Sequence, residues 1–139
     1  MKLRITVGAE DKLNGYTNVD PVSQFDGLNA DLRNLDAIVS DAECSEILAD
    51  EVIDFIRQEE VYPILDHWIN KLRHNGNIFV SFYDTRQIAK AFFRDKISLD
   101  EFNKIVHGTF SAPWDIRLGH TTVEEVSKFL QTRGLVVTK

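Results

Sequence analysis

Short apolar runs alternate with helical repeats along this chain. Runs of strand type lie at residues 3–8, 15–20, 44–49 and 77–83, and the last is almost continuous in apolar and aromatic residues. Such a run is typical of a strand that is covered on both faces, so we expect 77–83 to be the central strand. Strands that alternate with helices indicate a mainly parallel sheet.

The clearest helical repeat spans residues 58–73. Its apolar positions recur at the spacing of one helix face, which predicts a stripe packed against the sheet. These positions are Val61, Ile64, Leu65, Trp68, Ile69 and Leu72. Asn75 and Gly76 follow and provide a left-handed stop for the helix.

Three later helices have their own start signals. In chain order, the capping residues are Asp84 or Thr85, then Ser98 with Glu101, then Thr121 or Thr122. A Ser or Thr followed three residues later by Glu forms a capping box, which predicts helices that begin after 98 and after 121 or 122. Gly134 stops the last helix before a final strand at 135–137.

Composition and charge restrict the class of protein. The 139 residues predict a single domain over 1–139, and 27% charged with 43% hydrophobic residues is ordinary for a soluble globular protein. We find no signal peptide and no apolar run long enough to cross a bilayer, so we expect a cytoplasmic protein without a membrane partner. A net charge of −6 argues against nucleic acid as a partner.

The single cysteine, Cys44, excludes an internal disulfide and gives no metal-type spacing. We therefore expect a buried strand cysteine and no metal site. The exposed cations expected at Arg86, Lys90, Arg94 and Lys96 are interpreted as a solvated helix face.

The turn after the first strand carries the first candidate chemistry. Gly8 follows that strand, and the second strand ends at Asp20. A carboxylate at this edge of a parallel sheet can accept both hydroxyl protons of a ribose. The sequence has no G-x-G-x-x-G motif, and Asp20 followed by Pro21 is equally consistent with an ordinary turn.

The order of these segments resembles the core of class I methyltransferases that use S-adenosylmethionine (SAM), especially small bacterial and viral members. The similarity extends over nearly the whole chain and depends on order and spacing more than on any single motif. The matching segments are Val7-Gly8-Ala9-Glu10, 15–20, Asp31-Leu32, 51–56, the Trp68 helix, 72–82 and His120-Thr121 with the helix that follows. The resemblance implies a Rossmann-like α/β fold, with helices on both faces of a mainly parallel sheet.

The resemblance also implies a set of cofactor-binding positions. The backbone at Gly8, Ala9 and Glu10 would approach the methionine part of SAM. Asp20 would bind the ribose hydroxyls. Asp31 and Leu32 would contact the adenine, and Ala49 belongs to the same set. Ala9 stands where relatives usually have a second glycine, so a side chain there would crowd the cofactor.

A methyl acceptor with a hydroxyl or amine group requires a base. The candidates by position are Asp50, Glu51, Asp84 and His120. Phe110 and Trp114, in the segment 108–119, either line an acceptor pocket or pack over the edge of the sheet.

Three functions follow from these observations. The first is a SAM-dependent methyltransferase acting on a small-molecule or unidentified acceptor. The second is a non-catalytic binding or assembly module that keeps the fold and has lost SAM binding. A dinucleotide-dependent dehydrogenase is the weakest, because Gly8 lacks the partner glycines that admit a pyrophosphate. The acceptor and the oligomeric state stay open.

Overall fold

The computed structural model describes residues 1–23, 25 and 27–138. Gln24, Asp26 and Lys139 lie outside the described residues. The first two belong to the segment 20–34, whose Asp, Asn, Gly and Ser residues predict loops around a very short strand at 28–30. The strands are β1 (Lys2–Ile5), β2 (Thr17–Val19), β3 (Cys44–Asp50) and β4 (Leu72–Ser81). In this part of the chain they form one sheet of four strands, in the order β2-β1-β3-β4, and every neighbouring pair is parallel.

The helices are α1 (Val61–Ile69), α2 (Thr85–Phe93), α3 (Leu99–His107) and α4 (Val123–Thr132). Two short 3-10 turns, Ile53–Phe55 and Gln58–Glu60, precede α1. The predicted α/β class with a parallel sheet is therefore confirmed. The strand expected at 28–30 is only a single bridge between Val19 and Leu28.

The predicted helix caps are confirmed in detail. Asp84 accepts a hydrogen bond from the backbone N–H of Gln87 at 3.0 Å and caps α2. Ser98 and Glu101 form the capping box of α3, and Thr122 caps α4. These side chains satisfy N–H groups that a helix cannot pair internally, so they fix where each helix begins.

One face of the sheet carries the hydrophobic core. Side chains of β1 and β3 on this face are fully buried beneath α1, whose Trp68 is 0% exposed. The indole N–H of Trp68 donates to the carbonyl of Leu32 at 3.0 Å, so the polar end of this large side chain is also satisfied. Helix α4 joins the same core, where the rings of Tyr62 and Phe129 stack with centroids 4.6 Å apart.

The opposite face of the sheet differs from the prediction of helices on both faces. It carries Leu48, which is half-buried, and Phe79, which is 51% exposed. Helices α2 and α3 bury no residue. Their apolar side chains face each other instead, with the rings of Phe92 and Phe102 4.7 Å apart. No helix in the described ranges therefore buries side chains against this face.

The prediction that 77–83 forms a central strand is wrong. Strand β4 lies at the edge of the sheet, and it starts at Leu72 because the ladder to β3 replaces the last turn expected of the helix at 58–73. Asn75, with φ of +64°, lies inside the strand instead of ending a helix, where the register against β3 shifts. Between the pairs Cys44–Leu72 and Glu46–Asn77, β3 advances two residues and β4 advances five, so the three extra residues of β4 form a bulge.

The C-terminal strand expected at 135–137 is also not formed. Leu135 and Val137 pack against the core, whereas Val136 is 95% exposed. This segment lies across a groove from β4 without forming a ladder in the part of the chain that the structure describes. The N–H and C=O groups on the outer edge of β4 therefore face the groove.

Burial predicts opposite responses to two aromatic truncations. We expect Trp68→Ala to lower the free energy of unfolding by about 3–5 kcal/mol, because it leaves a cavity in the core. Phe79→Ala removes a half-exposed ring and should cost less than about 1 kcal/mol. Denaturant melts of both variants measure the difference. Equal losses of stability would contradict the half-exposed position of Phe79 on the face opposite the core.

Candidate functional site

The strand order places a crevice at the carboxyl edge of the sheet. From β1 the chain crosses to β2 on one side, and it later returns to form β3 on the other side of β1. The connections after β1 and β3 therefore diverge. In open parallel sheets, ligands bind outside the carboxyl ends of the strands at such a switch point.

A cleft of about 270 Å³ lies at this position, which we call the switch-point cleft. Its apolar walls include Val7 after β1, Val22 after β2 and Phe55 after β3. Asp31 and Leu32, predicted to contact an adenine, also line it, as does Trp114. The volume is slightly below the range of about 300–1,000 Å³ that is usual for small-molecule sites.

Asp20 lies beneath the cleft and is fully buried. One carboxylate oxygen accepts hydrogen bonds from the backbone N–H groups of Gly8 and Val22, at 3.0 and 2.9 Å. The other accepts from the Thr6 hydroxyl at 2.8 Å and from the Ala9 N–H at 3.0 Å. These four donors use the acceptor capacity of the carboxylate, so Asp20 holds the turn after β1 in place.

Gly8 is required by this turn for two reasons. Its φ is +70°, a left-handed conformation that favours glycine. A Cβ at this position would also lie 2.1 Å from Cη2 of Trp114, so the indole ring rests directly on the backbone. Trp114 thus packs over the sheet edge, one of the two roles considered for it, while Phe110 is 62% exposed.

Asp31 lies at the exposed rim of the switch-point cleft. It accepts from the backbone N–H and the guanidinium of Arg33, which lower the pKa of its carboxyl group. The same guanidinium pairs with Glu60 at 2.8 Å. Asp31 is therefore ionised at neutral pH and offers an acceptor to a ligand in the cleft.

The remaining predicted cofactor positions lie apart from the cleft walls. Ala49 is fully buried in the sheet between Ile5 and Val80. The side chain of Glu10 is exposed. Of the predicted set, Asp31 and Leu32 line the cleft, whereas Gly8 lies beneath Trp114, which lines it.

Residues 108–121, between α3 and α4, cross the carboxyl edge, and we call this segment the strap. The N–H groups of Leu118 and Gly119 donate to the Asp54 carbonyl at 2.8 and 3.0 Å. Gly119 fits so closely that a Cβ there would lie 2.5 Å from the Ile56 carbonyl oxygen. The Thr85 N–H donates to the Thr121 carbonyl at 2.9 Å. The strap is thus tied to the segment after β3 and to the start of α2.

A buried ion pair joins the strap to the segment after β3. Arg117 donates to Oδ2 of Asp54 at 3.0 Å, and the side chains are 14% and 3% exposed. The guanidinium lies 4.8 Å from the Phe55 ring centroid and 5.2 Å from that of Tyr83. Asp54 Oδ1 and Arg117 Nε have no hydrogen-bond partner among the described residues.

Burial raises the pKa of Asp54, although the Tyr83 N–H and the Arg117 guanidinium act in the opposite direction. Neither Asp54 nor Arg117 is among the site residues predicted from the sequence. A carboxylate inside the apolar run Val52-Ile53-Asp54-Phe55-Ile56 is the signal that predicts a buried, paired acid. Arg117 carries no comparable local signal, because its partner is distant in the sequence.

Two candidate bases lie away from the switch-point cleft. Asp50 pairs with Arg4 at 3.1 Å, in register with Ser81 on the face opposite the core. Glu51 is exposed and has a φ of +53°, and its N–H donates to the Ser81 hydroxyl at 3.0 Å. Neither carboxylate lines the cleft.

The other two candidates lie near the start of α2. Burial opposes the ionisation of Asp84, but hydrogen bonds from the N–H groups of Val123 and Gln87 outweigh it and lower the pKa of this carboxyl group. Asp84 therefore acts as a cap for α2 that also ties down the start of α4. His120 lines a second cleft, between α2 and α3, which we call the hairpin cleft.

Within residues 1–23, 25 and 27–138, no group of three or more His, Cys, Asp or Glu side chains is arranged to hold a metal ion. None of the helices in that part of the chain has the length and apolar character needed to cross a membrane.

Comparisons with protein-family models, with curated proteins and with solved structures give no match to this chain. The geometry of the carboxyl edge is therefore the basis on which we infer a function.

The contacts of Asp20 predict a structural role that can be measured. Asp20→Ala leaves four donors without their acceptor, and we expect it to lower the free energy of unfolding by about 2–4 kcal/mol. Asp31→Ala is the matched control, because its carboxylate is exposed and its loss should stay within about 0.5 kcal/mol. Thermal and denaturant melts compare them. If Asp20→Ala is as mild as Asp31→Ala, the carboxylate does not support the turn.

The pair of Asp54 and Arg117 predicts a pH-dependent loss. Arg117→Leu leaves Asp54 buried without its cation and should cost about 3 kcal/mol at neutral pH. Burial already raises the folded pKa of Asp54 above its ordinary value, and loss of the Arg117 cation raises it further in the variant. The penalty for ionised Asp54 is absent below the unfolded pKa and complete above the folded one. The loss should therefore shrink as the pH falls toward about 4.

Denaturant melts of the wild type and of Arg117→Leu at several pH values test this expectation. Arg57→Leu is the control, because Arg57 pairs with Glu59 in solvent and its removal should leave the melts unchanged. A loss that is the same at every pH would show that Asp54 is not the group responsible.

Proposed function

We propose that this chain binds SAM in the switch-point cleft and belongs to the methyltransferases that use it. The observation that supports this most directly is the position of Asp31 and Leu32. Both line a cleft at the switch point of a parallel sheet, beside the turn of Gly8. When bound, SAM supplies an electrophilic methyl group, so the protein's contribution is binding and orientation.

The residues of the cleft fit the nucleobase part of SAM. Apolar side chains such as Leu32 and Phe55 offer surfaces to a planar base, and ionised Asp31 offers an acceptor to an exocyclic amine. The methionine part is different, because Trp114 rests on the backbone of Gly8. Binding of the whole molecule therefore requires Trp114 to move away from the turn.

The second candidate is a non-catalytic module that has lost SAM binding. Two observations favour it: the four donors of Asp20 all come from the protein, and Trp114 covers Gly8. Ribose hydroxyls would have to replace donors that hold the turn. The two candidates differ in one measurable property, the affinity for SAM.

Calorimetric titration with SAM, and with its demethylated product S-adenosylhomocysteine, tests the proposal. We expect both to bind the wild type, Trp114→Ala to bind more tightly, and Asp31→Ala to bind about tenfold more weakly through the loss of one charged hydrogen bond. Phe110→Ala is the matched control, because this exposed aromatic residue of the strap lies outside the cleft lining.

A thermal melt confirms that Trp114→Ala is folded before it is titrated. Lack of binding to both the wild type and Trp114→Ala at millimolar ligand would contradict the methyltransferase proposal. The non-catalytic module would then replace it.

A further inference from the structure

We propose that the hairpin cleft binds a small, largely apolar molecule that carries one hydroxyl or amine group. The role of this molecule as the methyl acceptor rests on the function proposed above, whereas its binding does not. The residues that carry the argument are Tyr83, Ile88, Ala89, Phe102, Val106 and His120.

The walls of the hairpin cleft are apolar and incompletely covered. Ile88 from α2 and Phe102 and Val106 from α3 are only half-buried. Both helices are amphipathic, yet neither buries a residue against the rest of the protein. Apolar side chains therefore face each other across a space that is open to water, and a ligand there would remove apolar surface from water.

The lining of the cleft includes three polar side chains, Tyr83, Thr85 and His120. The Tyr83 hydroxyl and the His120 ring have no hydrogen-bond partner in the described portion of the chain. Their backbones are held: the Tyr83 N–H donates to Asp54 at 3.3 Å and the His120 N–H donates to Gln58 at 2.9 Å. Polar side chains on such anchored backbone suit one hydroxyl or amine of a ligand at the rim of an apolar site.

The size of the hairpin cleft limits the ligand. Its volume is about 170 Å³, and an apolar cavity of about 150 Å³ is sufficient to bind benzene. The cleft therefore accommodates a single ring and is too small for a nucleoside. This restricts the ligand class to phenol-like or comparable small molecules.

The two clefts are neighbours at the carboxyl edge. Phe55 lines the switch-point cleft, Tyr83 lines the hairpin cleft, and the Arg117 guanidinium contacts both rings. A molecule in the hairpin cleft would thus lie next to the strap that covers the other site. This placement is what a second substrate of the proposed reaction requires.

Amide NMR titration of the full chain with p-cresol tests the binding, with toluene and glycerol as comparison ligands. We expect saturable shifts confined to α2, α3, Tyr83 and His120, with a dissociation constant of about 1 mM. Toluene, which lacks the hydroxyl group, should bind several-fold more weakly, and glycerol should not bind. Lack of saturation up to about 10 mM p-cresol overturns the proposal.

Matched variants locate the site. Ala89→Leu fills the cleft from an exposed position on α2 and should weaken p-cresol binding at least tenfold, whereas Gln87→Leu adds the same side chain outside the cleft lining and should leave it unchanged. Tyr83→Phe combined with His120→Asn should lower the affinity for p-cresol to that for toluene. Equal binding by Ala89→Leu and Gln87→Leu would place the ligand elsewhere.

Binding at the hairpin cleft and binding of SAM can be measured separately. Ala89→Leu should bind SAM as the wild type does, because Ala89 does not line the switch-point cleft. Binding of p-cresol without binding of SAM supports the hairpin site and removes its role as an acceptor site. Binding of SAM without binding of p-cresol overturns the hairpin site alone.

Discussion

The buried carboxylate of Asp20 is the contact on which the carboxyl edge of this sheet depends. It gathers donors from both sides of the Gly8 turn and from the residues after β2, so the ends of two strands share one anion. The backbone of this turn supports Trp114, whose ring packs edge to face against Phe55 with the ring centroids 6.1 Å apart. The Arg117 guanidinium contacts the rings of both Phe55 and Tyr83. A single acid at the end of β2 therefore supports the position of a strap that lies nearly a hundred residues away in the sequence.

The sheet is covered unequally, and this asymmetry shapes the candidate sites. The core beneath α1 and α4 covers one face of the strands, while α2 and α3 form a hairpin that buries no side chain. The two parts meet at the carboxyl edge, where the hairpin cleft lies. The apolar walls of a site between them stay partly exposed until a ligand covers them.

Local signals in the sequence predicted local structure well. The side chains of Asp84, Ser98 and Thr122 cap the helices expected from them, because a cap depends only on residues within one turn. The class of the sheet was predictable from the alternation of elements. The edge position of β4 was not, because an apolar run looks the same whether a second layer covers it or not. Likewise, Asp20 carries the same local pattern whether its lone pairs face a ligand or the protein.

The two parts of the candidate site differ in how far the sequence indicates them. Asp31 and Leu32, which the resemblance to methyltransferases selects, line the switch-point cleft. The contact of Arg117 with Asp54 depends on packing between distant segments, which no local pattern predicts.

The strand order also restricts when the sheet can be completed during folding. Strand β1 pairs Lys2 with Glu46, and β3 pairs Asp50 with Ser81, so the two inner strands meet only after a long loop has closed. Parallel ladders of this kind have high contact order, because the paired residues are far apart in the sequence. They form slowly, because the entropy of loop closure is lost before the contacts that offset it are made. Strands β1 and β2 pair only with each other until β3 arrives, and a pair of strands is marginal in water. The described sheet therefore cannot be complete until β3 has paired with both β1 and β4.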